Sequence, residues 1–169
     1  MTTPDERGTP ADDVRRLYEE LAPALLAYAT SLLRSAAPAQ DVLHQVFLRL
    51  LRGSVAVPRE PRPYLFKAIR NAALNLLRSE TREAARRAAA PIFVAPAGLE
   101  AAAEALEQAL LELPEDQREI VILKTWGGLT LAEAAGVAGV PANTAASRYR
   151  YALIKLRERL GPFMQGGIR

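Results

Sequence analysis

A cluster of polar side chains near residue 147 has the chemistry needed to read DNA bases. An amide can pair with adenine, a guanidinium with guanine, and a hydroxyl with either base. Helical spacing places the cluster on one face of a predicted helix from about Ala142 to Leu160, in the half that reaches base edges when a helix enters the major groove. The side chains on this face are Asn143, Thr144, Ser147, Arg150 and Tyr151, with Arg148 on the flank, where it suits a phosphate.

The segment before that helix supplies the turn that a helix-turn-helix requires. Thr130 can cap a short alanine-rich helix that Gly139 ends, and Pro141 prevents that helix from continuing. Gly161 and Pro162 are expected to end the second helix. Its core-facing side chains are predicted to be Ala145, Tyr149, Ala152, Leu153, Leu156 and Leu160. An ordinary amphipathic helix at the end of a bundle is the alternative, but turn, cap and polar face all agree with a helix-turn-helix.

A second polar and basic ridge is predicted in the first half of the chain. A helix begins at Pro61 or Pro63 and continues to about Arg87, with Leu65 and Ile69 at the spacing of a buried face. The opposite side carries the ridge, which consists of Lys67, Asn71, Asn75, Arg78 and Arg82. Such side chains suit phosphate and base edges, although a solvated helix face is the alternative.

These helices belong to an all-α fold of two small helical domains joined by a linker. The first half opens with a helix from about Asp12 to Arg34, in which Pro23 should cause a bend or a break, and a helix from about Pro38 to Arg52 follows. The linker contains the apolar Ile92-Phe93-Val94, which could pack on either half. The expected division is a disordered tail at 1–11, a first domain at 12–87, a linker at 88–98, a second domain at 99–161 and a tail at 162–169.

The charge of the chain alternates along its length. Residues 42–90 and 143–169 carry net charges of +7 and +5, whereas residues 1–41 and 91–142 carry −3 and −6, within a total of +3. The two basic blocks contain the two polar helix faces described above, and phosphate attracts such blocks. The charge pattern therefore favours a nucleic acid as a partner.

Composition excludes several other classes of protein. The chain has no cysteine, which excludes disulfides and cysteine metal sites and suits a cytoplasmic protein. Its start lacks the apolar core of a signal peptide, and its apolar stretches are too short for membrane insertion. Motifs for phosphate loops, zinc ligands or catalytic nucleophiles are absent from the sequence, so we expect neither an enzyme, a cofactor nor a metal site.

Several segments, in order, resemble bacterial RNA polymerase sigma factors of the two-domain extracytoplasmic-function (ECF) group. Residues 113–123, 126–130 and 139–148 are similar to the domain that reads the promoter −35 element. Residues 39–49 resemble the helix that docks on the polymerase clamp, and residues 64–78 resemble the helix that engages the −10 element. The resemblance covers nearly all of the chain from Val14 to Leu160.

The resemblance implies a role in transcription initiation and two partners, core RNA polymerase and promoter DNA, with an anti-sigma factor as a candidate third. The implied polymerase-binding residues are Asp41, His44, Gln45 and Arg49. The implied −10 residues are Tyr64, Lys67, Arg70, Asn71, Asn75 and Arg78, beside a loop at Gly53–Glu60. The implied −35 residues are those of the first cluster, Asn143, Thr144, Ser147, Arg148, Arg150 and Tyr151.

Two departures from the family pattern keep other functions open. The clamp helix usually carries acidic residues around its glutamine, but here Gln40 and His44 leave Asp41 and Gln45 with two fewer negative charges. In the reading helix, Ala146 stands where a lysine is common. The alternatives are a sigma-like interaction protein without promoter activity and a stand-alone helix-turn-helix regulator, which would bind duplex DNA as a dimer.

Overall fold

The computed structural model describes residues 10–53, 56, 58–79, 91–93 and 96–166, and its regular structure is entirely helical within these ranges. The predicted all-α class is therefore confirmed. The helices are α1 (Pro10–Leu33), α2 (Ala36–Leu51), α3 (Pro61–Ser79), α4 (Glu100–Leu111), α5 (Glu115–Thr125), α6 (Leu131–Ala138) and α7 (Ala142–Gly166). We call α1–α3 the first lobe and α4–α7 the second lobe.

The first lobe is a three-helix unit whose apolar faces meet in one core. Leu25 of α1, Phe47 of α2 and Leu65 of α3 are buried there. Pro23 does not break α1, which is continuous from Pro10 to Leu33. The buried neighbours Leu21 and Leu25 anchor the helix on both sides of the proline, and this packing offsets the missing backbone hydrogen bond.

The second lobe contains the predicted helix-turn-helix, formed by α6 and α7. Thr130 caps α6 with a capping box, in which its hydroxyl accepts from the Glu133 amide at 3.2 Å while the Thr130 amide donates to Glu133 Oε2 at 2.7 Å. The hydrogen bonds that the Thr130 amide and then its hydroxyl donate to the Glu133 carboxylate lower the pKa of Glu133. Gly139 ends α6 with a φ of 70°, a left-handed conformation that glycine adopts without strain. The turn and both of its caps are as the sequence predicted.

Two predictions about α7 are wrong. The helix does not end before Gly161 but continues to Gly166. Leu153 does not face the core, since its side chain is 38% exposed. Ala145, Ala152 and Leu156 are buried, so the rest of the lobe covers a narrower stripe of the helix than the apolar pattern suggested.

The two lobes pack against each other around a common core. That core joins Tyr28 and Phe66 of the first lobe to Ile120, Leu123 and Leu129 of the second. Tyr28 and Phe66 contact each other with ring centroids 5.5 Å apart.

The apolar linker segment packs as well, and it does so on the second lobe. Ile92 is buried, and its amide donates to Glu107 Oε1 at 3.0 Å. Phe93 stacks on Trp126 with centroids 4.3 Å apart. Val94 and the predicted continuation of α3 over residues 80–87 lie outside the described residues.

Candidate nucleic-acid interface

A groove of about 920 Å³ separates α2 from α3 in the first lobe. One wall holds Asp41, Gln45 and Arg49 of α2, which are predicted to bind polymerase. The other wall holds residues of α3 predicted to engage the −10 element, namely Tyr64, Lys67, Asn71 and Asn75. The predicted polymerase-binding residues and the predicted −10 residues thus line opposite walls of one groove.

The α3 wall presents polar groups to solvent. Lys67, Asn71 and Asn75 are exposed, and their spacing of four residues places them in a row along the helix. We call Lys67, Asn71 and Asn75 the α3 ridge. Arg78 extends it, with its Nη1 3.5 Å from the side-chain oxygen of Asn75. Tyr64 is half-buried and packs against the core while also lining the groove, so its ring is only partly available to a base.

Polymerase-side residues on α2 are similarly accessible. Asp41, His44, Gln45 and Arg49 are all exposed, whereas Val42, Val46 and Phe47 between them are buried. His44 does not line the groove and lies on the outer side of the helix. Part of the predicted −10 loop, residues 54, 55 and 57, lies outside the described residues.

Arg70 is not on the ridge, although it was predicted to act with it. Its Nε lies 2.8 Å from Oε1 of Glu119 on α5, and the two side chains are only 24% and 11% exposed. The hydroxyl of the buried Tyr28 donates to the same oxygen at 2.7 Å. The hydrogen bond to Glu119 raises the pKa of Arg70, and burial followed by the Glu119 charge raises that of Tyr28. We call Tyr28, Arg70 and Glu119 the Glu119 junction; it fastens the first lobe to the second.

Arg62 makes a second junction between the lobes. Its Nη1 donates to the Gly127 carbonyl oxygen at 3.0 Å, and its Nη2 pairs with Glu20 at 2.6 Å. Gly127 must be a glycine here, because an added Cβ would lie 2.4 Å from the Leu123 carbonyl oxygen and 3.1 Å from the Phe66 ring.

The start of α7 presents the predicted −35 face to solvent. Asn143, Ser147, Arg150 and Tyr151 are exposed, and Thr144 is partly buried. The Ser147 hydroxyl donates to the Asn143 carbonyl oxygen at 2.9 Å, and the Arg150 guanidinium lies 5.1 Å from the centre of the Tyr151 ring. An arginine resting on an aromatic ring is held away from the backbone and remains able to donate outward.

Arg148 points to the flank, as predicted, and there it meets an acid. Its Nε is 3.0 Å from Oδ2 of Asp116 on α5, with side chains 26% and 48% exposed. Helix α5 therefore supplies a carboxylate to one arginine from each predicted DNA-binding helix, Glu119 to Arg70 and Asp116 to Arg148. The sequence did not predict these two ion pairs, because their partners are far apart in the chain. The only sequence feature that pointed to them is the acidic block from residue 91 to 142.

Metal-binding clusters and membrane-spanning helices are absent from the described ranges. No group of three or more histidine, cysteine, aspartate or glutamate side chains there could hold a metal ion. No helix among the described residues is long and apolar enough to cross a membrane.

Comparison with known proteins gives two family matches and several similar structures. The model of sigma-70 region 2 matches residues 17–83, and that of sigma-70 region 4 matches residues 103–156. The chain resembles the sigma factor RpoE of Bartonella quintana, solved in complex with the anti-sigma factor NepR, with a TM-score of 0.71 and 25% identity over 89% of this chain and 98% of that one. It also resembles CnrH in complex with the cytosolic domain of CnrY, with a TM-score of 0.63 and 23% identity over 89% of each chain. No curated protein sequence matches the chain.

Proposed function

The chain belongs to the sigma-70 family of RNA polymerase sigma factors, in its extracytoplasmic-function group, and from this premise we propose how its two lobes divide promoter recognition. The first lobe binds core polymerase and the −10 element, and the second lobe reads the −35 element. The observation that carries the proposal is the exposure of two polar helix faces, the α3 ridge and the start of α7, one on each lobe. The chain contributes binding surfaces to the polymerase and no catalytic groups of its own.

In the first lobe, the groove between α2 and α3 separates the two tasks. Asp41, Gln45 and Arg49 on the α2 wall contact the polymerase, with His44 at the edge of that contact. The α3 ridge faces the opened −10 strand, where amide groups can pair with unstacked bases and Lys67 with a phosphate. Tyr64 offers the edge of its ring at the groove.

In the second lobe, α7 enters the major groove of the −35 element through its N-terminal half. Arg150 and Asn143 are the candidates for base edges, because both are exposed on the outward face. Ser147, Thr144 and Tyr151 supply hydroxyl groups beside them. Arg148 is the candidate for a phosphate, once it leaves Asp116.

Promoter binding by both lobes requires the lobes to separate. Arg70 of the first lobe is paired with Glu119 of the second lobe in the packed arrangement, so it cannot meet DNA there without losing its partner. A linker of about a dozen residues reaches ~40 Å when extended, which exceeds the ~34 Å of one turn of DNA. The likeness to RpoE, which was solved with an anti-sigma factor, supports an anti-sigma factor as a partner of the packed arrangement.

The test is transcription with purified components. The chain is mixed with core polymerase and a library of promoter-length DNA fragments, and RNA start sites are mapped. Defined starts that depend on the chain support the proposal. Polymerase binding without transcripts would favour a sigma-like interaction protein, and DNA binding without polymerase would favour a stand-alone regulator.

A pair of variants tests the assigned polymerase surface. Asp41→Ala combined with Gln45→Ala should weaken co-purification with core polymerase, because both side chains are exposed on the α2 wall. Gln108→Ala combined with Glu158→Ala is the matched control, since it likewise removes one amide and one carboxylate from exposed positions on the second lobe. Equal co-purification of both double variants would contradict the assignment.

A further inference from the structure

A cleft of about 740 Å³ lies between the two lobes, on the side of α3 opposite the groove. Four arginines line it, Arg34 and Arg70 from the first lobe and Arg118 and Arg148 from the second, together with the acids Glu115, Asp116 and Glu119. A volume of this size is typical of small-molecule sites. Guanidinium groups gathered around such a space are suited to an anion, because each presents a fork of donors.

Acids of the chain already satisfy two of these arginines. Arg70 pairs with Glu119, and Arg148 pairs with Asp116, at 2.8 and 3.0 Å. A ligand is not needed to balance either of them. The charges of the other two arginines, Arg34 and Arg118, need a different partner.

Arg34 and Arg118 are not balanced in the same way. Nη1 of Arg34 is buried and has no hydrogen-bond partner in the described part of the chain. Arg118 donates to the Leu111 carbonyl oxygen at 3.3 Å, but its nearest acid, Glu115, is 4.0 Å away with a side chain that is 95% exposed. An ion pair of that length at the surface contributes little.

The two guanidinium groups also repel each other. Burial lowers the pKa of Arg118; Glu115 opposes this effect, and the nearby charge of Arg34 adds to it. Arg34 in addition ends α1 with a φ of 55°, a left-handed position at which glycine is usual. The buried donor without an acceptor and the pair of like charges would both be stabilised by an anion that lies between the two guanidinium groups.

We propose that this cleft binds a small phosphate-bearing anion through Arg34 and Arg118. A phosphate group carries more than one negative charge and several acceptor oxygens, so it can accept from both guanidinium forks at once. Its two ligands come from different lobes, so the bound anion ties the lobes together. If the proposed function holds, the anion thereby opposes promoter binding, because Arg70 stays paired with Glu119 of the second lobe.

Calorimetric titration of the full chain tests the site without polymerase or DNA. The titrants are inorganic phosphate, pyrophosphate, a nucleoside 5′-diphosphate and the unphosphorylated nucleoside, in chloride buffer at fixed ionic strength. The variants are Arg34→Gln and Arg118→Gln. Arg15→Gln is the control, since it makes the same change of charge at an exposed position of α1.

We expect the parent and the control to bind phosphate compounds saturably. Both variants should bind them at least tenfold more weakly, and no protein should bind the unphosphorylated nucleoside. A preference for the nucleoside diphosphate over pyrophosphate identifies a nucleotide as the ligand; equal binding identifies free phosphates.

Three results would overturn the site: no saturable binding of phosphate compounds by the parent, undiminished binding by Arg34→Gln, or an equal loss in Arg15→Gln. Thermal unfolding shows whether each variant is folded. In chloride buffer Arg34→Gln should unfold at or above the temperature of the parent, because it removes the buried unmatched donor, and it should lose the stabilisation that phosphate gives the parent. If Arg118→Gln fails to fold, the binding of phosphate compounds by Arg34→Gln alone decides whether the site exists. Because these measurements use neither polymerase nor DNA, their failure would leave the proposed function standing.

Discussion

Helix α3 has two polar faces that differ in their surroundings: one is exposed, and the other packs against the second lobe. The face toward α2 carries the ridge of Lys67, Asn71 and Asn75, whose polar groups are exposed. The face toward the second lobe carries Arg62, Phe66 and Arg70, whose groups are committed to contacts with Gly127, the common core and Glu119. The comparison teaches that basic character alone does not mark a DNA contact: on one helix, Lys67 is exposed on one side, whereas Arg62 and Arg70 hold the lobes together on the other.

The sharpest test of the lobe-packing face is Gly127→Ala. A Cβ at this position would lie 2.4 Å from a backbone oxygen, which cannot move without disrupting α5, and 3.1 Å from Phe66. We expect a loss of about 3 kcal/mol in the free energy of unfolding, measured by urea denaturation. Gly136→Ala is the control, since a Cβ there meets nothing within 4 Å and sits inside α6. That variant should gain about 0.5 kcal/mol; equal effects of the two variants would contradict the packed interface.

A smaller loss is expected from Glu119→Ala. The substitution leaves Tyr28 and Arg70 without their shared acceptor in a largely buried place, which should cost about 2 kcal/mol by urea denaturation. It should also separate the lobes. Because the chain has no cysteine, dyes on Arg52→Cys and Glu158→Cys, both exposed, can report the distance by energy transfer. Asp13→Ala, which breaks an exposed pair with Arg16, should change neither quantity measurably. Unchanged energy transfer in Glu119→Ala would show that the junction does not hold the lobes together.

The ridge should behave in the opposite way. Asn71→Ala combined with Asn75→Ala should leave the free energy of unfolding within about 0.5 kcal/mol of the parent, because both side chains are exposed. The same variant should reduce promoter opening about tenfold, corresponding to the loss of a base contact worth about 1.4 kcal/mol. Permanganate reactivity of unpaired thymines measures the opening. Reactivity equal to that of the parent would mean that the ridge is only a solvated surface.

Helix α7 offers the same kind of comparison in the second lobe, where Arg150 is expected to contact a base and Arg148 a phosphate. Arg150→Ala should relax base preference at one or two −35 positions by about 1 kcal/mol, because its side chain is exposed on the outward face. Arg148→Ala should weaken all sequences by a similar or smaller amount without changing preference, as expected of a phosphate contact. A library with randomised −35 positions, transcribed by each holoenzyme, measures both. Identical preference profiles for the parent and Arg150→Ala would contradict base reading by this arginine.

Local signals made the second lobe predictable. Thr130 and Glu133 lie within one helical turn of each other, and Gly139 ends α6 through its own backbone, so a few adjacent residues determine the turn. The buried faces of the first lobe also follow from helical spacing, as Leu65 and Ile69 show.

Contacts between distant segments could not be predicted in this way. Tyr28 meets Glu119 across 91 positions, and Arg62 meets Gly127 across 65. Helical spacing gives the angle of Arg70 around α3 but not the side on which the second lobe packs. For the same reason the apolar pattern placed Leu153 in the core, although its side chain is exposed.

The pairing of Arg70 and Arg148 with α5 has a consequence for the ionic-strength dependence of promoter binding. A basic side chain that meets DNA from solvent displaces one condensed counterion, and each such phosphate contact steepens the logarithmic salt slope by about 0.9. These two arginines instead exchange one anion for another, because Glu119 and Asp116 hold them beforehand. Salt weakens the initial and the final pairing together. The slope measured for the full chain should therefore be slightly shallower than a count of its phosphate contacts in the complex would give, because each contact still releases the counterion condensed on DNA.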